Sequence, residues 1–256
     1  MRKFWQRPAD SARSGFERPR LDWSERPALI YAIGDVHGCL DLLKRLESLI
    51  QADSADHPGD KLIVMLGDYI DRGPKSAQTL DWLLRPAPAG FRRICLAGNH
   101  EALLLDAIAR PDRCDDWLQW GGRQTLESYR IDVSEFDAAS TSRRRALLQT
   151  HIPDEHRGFL EGLPILLGLP DLLFVHAGVR GDLPLEQQRD TELQWIREPF
   201  LGTPVAGFPL VVHGHTPVPE PEIRPWRIGV DTGAFATGVL TAVRLETGRP
   251  PRFIHT

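Results

Sequence analysis

The stretch ALIYAIGD, residues 28–35, runs apolar from Ala28 to Ile33, turns at Gly34 and stops on the carboxylate of Asp35. The same design recurs along the chain. KLIVMLGD (61–68) stops on Asp68, RRICLAGN (92–99) on Asn99, DLLFVHAG (171–178) reaches His176, and PLVVHGH (209–215) ends on His215. Each run has the length and β-branched content of a buried strand. Ligands of α/β sheets collect in the crevice outside the carboxyl ends of the strands, so these polar residues are expected to converge. Turn chemistry alone would as readily have placed Ser, Pro or Lys there.

Helical periodicity follows each of the first three runs. Leu42, Leu43, Leu46, Leu49 and Ile50 share one apolar face, Lys75–Leu84 reads as a second helix, and Glu101–Ala109 as a third. Strand, loop and helix repeated in this way predict parallel strands at 28–33, 62–66 and 94–97, joined by right-handed crossovers. The middle, about 110–165, is helical in character and poor in strands; an insertion of this kind commonly caps or lines a site. Strands return at Leu172–Val175, Leu210–Val212, Arg227–Val230 and Gly238–Arg244. Loops among the last of them are too short for helical crossovers, which predicts antiparallel pairs and a mixed second sheet. The fold class is α/β. One domain is expected over 28–256, preceded by an N-terminal arm or tail at 1–27, where basic residues, prolines and isolated aromatics alternate without periodicity.

With 256 residues, 41% hydrophobic and 26% charged, the chain suits one large soluble domain. A net charge of −4 supplies no field for nucleic acid or for a membrane as partner. Phosphate handling would then need local positive charge, from metals or a few arginines. Cys39, Cys95 and Cys114 are odd in number and lack CxxC spacing, which argues against a disulfide framework and a thiolate zinc site. No apolar stretch approaches the ~18 residues of a membrane span, and MRKFWQRPAD lacks the apolar segment of a signal peptide. A cytoplasmic location is expected.

Asp35 and His37 stand two apart on an extended segment, so their side chains point the same way and can grip one cation. Asp68 has two oxygens and could bridge two cations, while Asn99, His176 and His215 complete an oxygen and nitrogen set without sulfur. Such donors suit Mn, Fe, Zn or Co better than a closed structural zinc. They are too many for one ion. A two-metal centre, ions ~3.5–4 Å apart with a bridging hydroxide, is the natural reading, and it suits hydrolysis at phosphorus. Arg72 adds a planar fork able to hold two phosphoryl oxygens. His100 begins a helix, whose positive end favours a neutral ring.

Gly34-Asp-Val-His-Gly38, Gly67-Asp-Tyr-Ile-Asp-Arg-Gly73 and Gly98-Asn-His-Glu101, followed by His176-Ala-Gly178 and Gly214-His-Thr216, resemble the signature blocks of the phosphoprotein phosphatase family of metallophosphoesterases. The likeness is greatest to bacterial and phage serine/threonine protein phosphatases. It implies an αββα sandwich, two mixed β-sheets flanked by helices. It also implies that Asp35, His37 and Asp68 hold one metal, and Asp68, Asn99, His176 and His215 the other. His213 then remains a strand or supporting residue. The resemblance pairs Asp71 with His100, which would protonate the leaving alkoxide, and makes Arg197, in Trp195-Ile-Arg-Glu198, a second phosphate-gripping arginine. The Gly121–Tyr129 segment resembles one found near the substrate groove and also reads as a helix stop and restart. Arg143-Arg-Arg145 reads as a solvated helix face, and Asp231-Thr-Gly233 as a structural turn.

The leading expectation is a phosphomonoesterase acting on phosphoprotein or phosphopeptide Ser/Thr and on small phosphate esters, with two divalent ions, Mn first among Fe, Zn, Co and Mg. A symmetrical diadenosine tetraphosphate hydrolase is the alternative. Those relatives commonly carry Ala where Asp71 stands and Asp where Glu101 stands, so both positions favour the phosphatase. An inactive scaffold and a nuclease-like phosphodiesterase are weaker readings; every proposed ligand is present, and basic character is slight.

Overall fold

The computed structural model describes residues 17–256. In chain order the elements are β1 (Arg20–Asp22), β2 (Leu29–Ile33), α1 (Leu40–Asp53), β3 (Lys61–Met65), α2 (Ser76–Leu83), β4 (Phe91–Cys95) and α3 (Asn99–Ala109). The middle holds α4 (Asp115–Trp117), a π-helical turn (Leu118–Gly122), α5 (Arg123–Ser128), α6 (Val133–Ala138), α7 (Thr141–His151) and α8 (Asp154–Gly162). Then come β5 (Leu166–Gly168), β6 (Leu172–Val175), α9 (Asp190–Trp195), β7 (Leu210–His213), β8 (Glu222–Arg224), β9 (Arg227–Gly229), α10 (Ala234–Thr237), β10 (Thr241–Glu246) and β11 (Arg252–His255). No helix among the described residues is long and apolar enough to cross a membrane.

Two mixed sheets result, ordered β11-β10-β2-β3-β4 and β1-β5-β6-β7-β9-β8. The period of two in each strand decides how they pack. Ile30 and Ala32 of β2, with Leu62 and Val64 of β3, meet Leu172, Phe174, Val212 and Ile228 of the other sheet in one apolar layer. The alternate residues, Leu29, Tyr31, Ile33, Ile63 and Met65, face outward into a second layer with Leu43, Leu46 and Ile50 of α1 and Leu80 of α2. The expected αββα layering and its two mixed sheets are what the chain forms.

Strands β2, β3 and β4 are parallel neighbours, with Leu29 beside Lys61 and Lys61 beside Phe91. β6 and β7 are parallel neighbours in the second sheet. All of the polar stops therefore sit at carboxyl ends of adjacent strands. Strand β4 starts earlier than expected because Arg92-Arg93 masks its onset; the Arg93 guanidinium lies 2.8 Å from the buried Glu47 carboxylate.

The C-terminal pairing differs from expectation. β7 and β9 run parallel, because the half-exposed β8, which its polar sequence conceals, returns the chain to the same end before β9 begins. β10 leaves the second sheet altogether and pairs antiparallel with β2 and β11. Of the expected arm, residues 1–16 lie outside the described residues, while Arg20–Asp22 pair with Leu166–Gly168 and the Arg18 guanidinium donates to the carbonyls of Leu160 and Leu163.

Phe174 is fully buried in the layer between the sheets. Phe174→Ala should cost about 3–5 kcal/mol of stability, read from the urea midpoint. A loss under about 1 kcal/mol would mean that this layer does not hold the sheets together.

Candidate metal centre

Left-handed backbone marks the site. Apart from Arg130, the described non-glycine residues with positive φ are His37 (44°), Asp68 (52°), Asp71 (69°), Arg72 (67°) and His215 (64°). Side chains disfavour this region, at roughly 1–3 kcal/mol per residue, so it persists where the surroundings over-determine it. Here the chain leaves each strand and must turn at once to keep its side chain over the sheet edge. Two such turns touch: a Cβ on Gly73 would lie 2.1 Å from the His37 carbonyl oxygen.

The turns bring the strand-end residues together. Asp68 stands in the middle. Its Oδ1 lies 3.4 Å from His176 Nε2 and its Oδ2 lies 3.7 Å from His37 Nε2. Asn99 Oδ1 is 2.9 Å from both His176 Nε2 and His215 Nδ1. Asp35 accepts the His215 backbone N–H on both oxygens, at 3.1 and 3.2 Å. Asp35, His37, Asp68, Asn99, His176 and His215 are all buried.

These residues fit divalent cations. His37 Nδ1 and His176 Nδ1 each face a backbone carbonyl at 2.8 Å, Ile70 and Leu66 respectively, so each Nδ1 carries a proton and each Nε2 is turned toward Asp68; metal-binding histidines are usually fixed in this manner. His37 Nε2 and His215 Nε2 are buried without a hydrogen-bond partner. Two groups, His37 with Asp68 and His100, and Asp68 with His176 and His215, each keep one ligand atom per residue within 4.8 Å of the others. Asp68 belongs to both.

His100 stands in the first group where Asp35 was expected, yet both of its nitrogens are engaged elsewhere. Nδ1 lies 2.7 Å from Asp71 Oδ2, and Nε2 accepts from the Arg72 guanidinium at 3.2 Å. Asp35 sits against Gly214 and belongs to neither group. Burial, then the neighbouring Asp231 carboxylate, pushes Asp35 well above the usual carboxylate range. Burial alone would drive the proton from His176, but the Asp68 and Asp35 carboxylates outweigh it and lift that ring to about 10. Negative charge is packed here more densely than the protein's own cations balance.

Arg72 and Arg197 stand beside the cluster, next to His100 and His215 respectively. Burial and then the charge of Arg72 lower Arg197, which places the guanidinium groups near one another; Arg197 also reaches the His215 carbonyl at 3.4 Å. Arg72 lies over the ring of the exposed Phe235 at 4.7 Å. Half-buried Trp120 and Trp195 meet edge to face, 4.9 Å apart, near His100 and His215.

Sequence reasoning missed several contributors. Glu101 accepts the N–H groups of Asp68, Tyr69 and Gly98 at 2.8–2.9 Å. Trp117 and Thr125 both reach Asp71. Phe235, just beyond Asp231-Thr-Gly233, carried no signal at all. Asp231 makes the expected turn, accepting from the Gly233 N–H at 2.8 Å, and adds its charge beside Asp35. His213 is buried on β7, 3.0 Å from the Gly214 carbonyl and edge to face with Phe200, outside both ligand groups.

Residues 28–235 match the family described as calcineurin-like phosphoesterase. The asymmetrical bis(5'-nucleosyl)-tetraphosphatase PrpE of Anoxybacillus flavithermus is 28% identical over 236 residues, 83% of this chain and 88% of that protein. Serine/threonine-protein phosphatase 2 of Salmonella typhimurium is 27% identical over 225 residues, 85% and 93% of the respective chains. A crystal structure described as a candidate diadenosine tetraphosphatase superposes with a TM-score of 0.64 at 21% identity, covering 92% of this chain and 97% of that one. A cold-active protein tyrosine phosphatase gives 0.59 at 18%, covering 98% and 86%. At these identities the structures speak to fold alone.

If Asp68 is shared between two ions, Asp68→Asn should lower the metal content of protein purified in Mn²⁺ and weaken Mn²⁺ binding by more than about 100-fold, measured by elemental analysis and calorimetry. Full retention of metal would remove Asp68 from the ligand set.

Proposed function

The chain belongs to the calcineurin-like phosphoesterases, and we propose that it hydrolyses phosphomonoesters, phosphoserine and phosphothreonine of proteins being the substrate class. The observation that carries this reading is the buried His100–Asp71 pair, 2.7 Å apart. A serine alkoxide is a strong base and departs only with a proton, whereas a nucleoside phosphate leaves as a stable anion. A built proton donor is of most use to the former.

Asp35, His37 and Asp68 would hold one divalent ion, and Asp68, Asn99, His176 and His215 the other. When bound, such ions neutralise phosphoryl charge and lower the pKa of water; Mn is the first choice for this donor set. The chain's own residues do the rest. Arg72 and Arg197 grip the phosphoryl oxygens. As Arg72 turns to them it releases His100 Nε2, which can then carry a proton toward the leaving oxygen. Once free of Arg72, Nε2 takes a proton from solvent; the water gives one proton to solvent as its oxygen bonds to phosphorus, the bond from phosphorus to the serine oxygen breaks, and that oxygen takes the Nε2 proton, which returns the ring to its neutral form. Asp71 keeps the Nδ1–H aligned.

A second reading has support of its own. The relative at 28% identity is an asymmetrical dinucleoside tetraphosphatase, and the aromatic rim of Trp120, Trp195 and Phe235 offers stacking surface for a base. Asp71 and Glu101 distinguish this chain from symmetrical hydrolases only, so they leave the asymmetrical reaction open to experiment.

His100→Asn should reduce turnover of a phosphoserine peptide by about 10²–10⁴ and that of p-nitrophenyl phosphate far less; equal losses would end the proton-donor role. Arg72→Ala should raise KM for both esters at unchanged Mn content. Side-by-side turnover of phosphoserine, phosphothreonine and phosphotyrosine peptides against diadenosine tetraphosphate, with Mn, Mg, Zn or Co supplied and EDTA as control, separates the readings. Preference for the dinucleotide by more than about tenfold in kcat/KM would replace the phosphatase assignment. No metal-dependent turnover of any of them would favour an inert scaffold.

A further inference from the structure

The segment from Trp117 to Thr125 touches the Asp71–Arg72 turn with Trp117, Gly121 and Thr125, four residues apart. Trp117 Nε1 donates to Asp71 Oδ1 and Oδ2, at 3.1 Å each. Gly121 accepts the Arg72 N–H on its carbonyl at 3.1 Å. Thr125 Oγ1 donates to Asp71 Oδ1 at 2.6 Å and lies 3.0 Å from the Asp71 backbone nitrogen. Gly121 kinks the backbone between two short helices, and it is this bent segment that presents the three residues on one face toward the turn.

That face is itself anchored. Gly121 has φ of 112°, and a Cβ there would lie 2.5 Å from Arg72 N, so the two backbones meet with no room for a side chain. Tyr129 Oη lies 2.7 Å from His156 Nδ1, whose Nε2 lies 3.1 Å from Asp81 Oδ1. Ser128 Oγ accepts the Ala77 N–H at 3.1 Å. The face cannot slide along the turn without breaking these contacts.

We infer that Trp117 and Thr125 are positioning residues for the proton donor: together they fix the plane of the Asp71 carboxylate so that Oδ2 lies along the Nδ1–H of His100. The inference rests on the proposed proton-donor role of His100. Its physical basis is the saturation of one carboxylate. Oδ1 is taken by the threonine hydroxyl, the indole N–H spans both oxygens, and Oδ2 is left to the imidazole. Asp71, His100, Trp117 and Thr125 are all at most 1% exposed, so no water can stand in for a lost donor. Without the hydroxyl the carboxylate is free to rotate, and the ring it orients goes with it.

Thr125→Val keeps the shape and removes the donor; Thr125→Ser keeps the donor. Trp117→Phe removes the indole N–H with a smaller ring. On phosphoserine peptide, Thr125→Val and Trp117→Phe should each lower kcat by about 10–100-fold with KM and Mn content unchanged, and should lose far less on p-nitrophenyl phosphate; Thr125→Ser should restore turnover. In a His100→Asn background neither substitution should cost more. Equal loss on both esters, or a further loss in that background, would reduce these residues to structural support. Selective loss in His100→Asn but not in Thr125→Val would overturn the positioning role alone, whereas equal loss on both esters in His100→Asn would overturn the proton-donor reading and this inference with it. Thermal unfolding of each variant, with the milder Thr125→Ser as reference, separates misfolding from misalignment.

Discussion

One carboxylate, Asp68, sits where the edges of two sheets meet, and the surrounding geometry follows from holding it there. Its backbone is left-handed, its N–H is tied to Glu101, its Oδ1 accepts the His100 N–H at 3.0 Å, and it is 2% exposed. Burial by itself would protonate such a group, but the rings of His176 and His100 more than offset it and hold Asp68 well below the usual carboxylate range. A charge so placed requires compensation on both sides. The imidazoles supply part of it, and the proposed ions would supply the remainder.

The crossovers that surround this carboxylate explain why it can be reached from so many strands. β2, β3 and β4 are parallel, and so are β6 and β7, so successive turns open on the same edge. The middle helices then close one side. Trp120 of the π-helical turn meets Trp195 at the end of α9, bringing the insertion and the loop that carries Arg197 together over the cluster.

Much of this was legible in the sequence because strands buried on both faces advertise themselves. β2 has no exposed residue, and its pattern needs no partner to be read. Its polar stop is equally plain. Strands β1, β8 and β11 were not readable: they are short, half-exposed and polar, and their identity comes from the neighbour that pairs with them. Pairing partners were also hidden, since nothing in Thr241–Glu246 says that β10 joins β2 instead of β9. In the site, residue types that bind metals could be named from strand ends alone. Trp117 and Thr125 could not, because a tryptophan and a threonine in a helix usually pack or face solvent, and only the fold shows that both end on Asp71. The four-residue rhythm through Gly121 was present but had no visible target.

Glu101 has a consequence for motion. Its two oxygens take three backbone N–H groups from the loops after β3 and β4, and the side chain is fully enclosed. Those loops are thereby riveted into a single body. Across the cluster from that body stand the exposed ring of Phe235 and, on the loop after α9, Arg197. The corner that aligns the chemistry belongs to the riveted body, since the His100 N–H is itself held by Asp68 Oδ1.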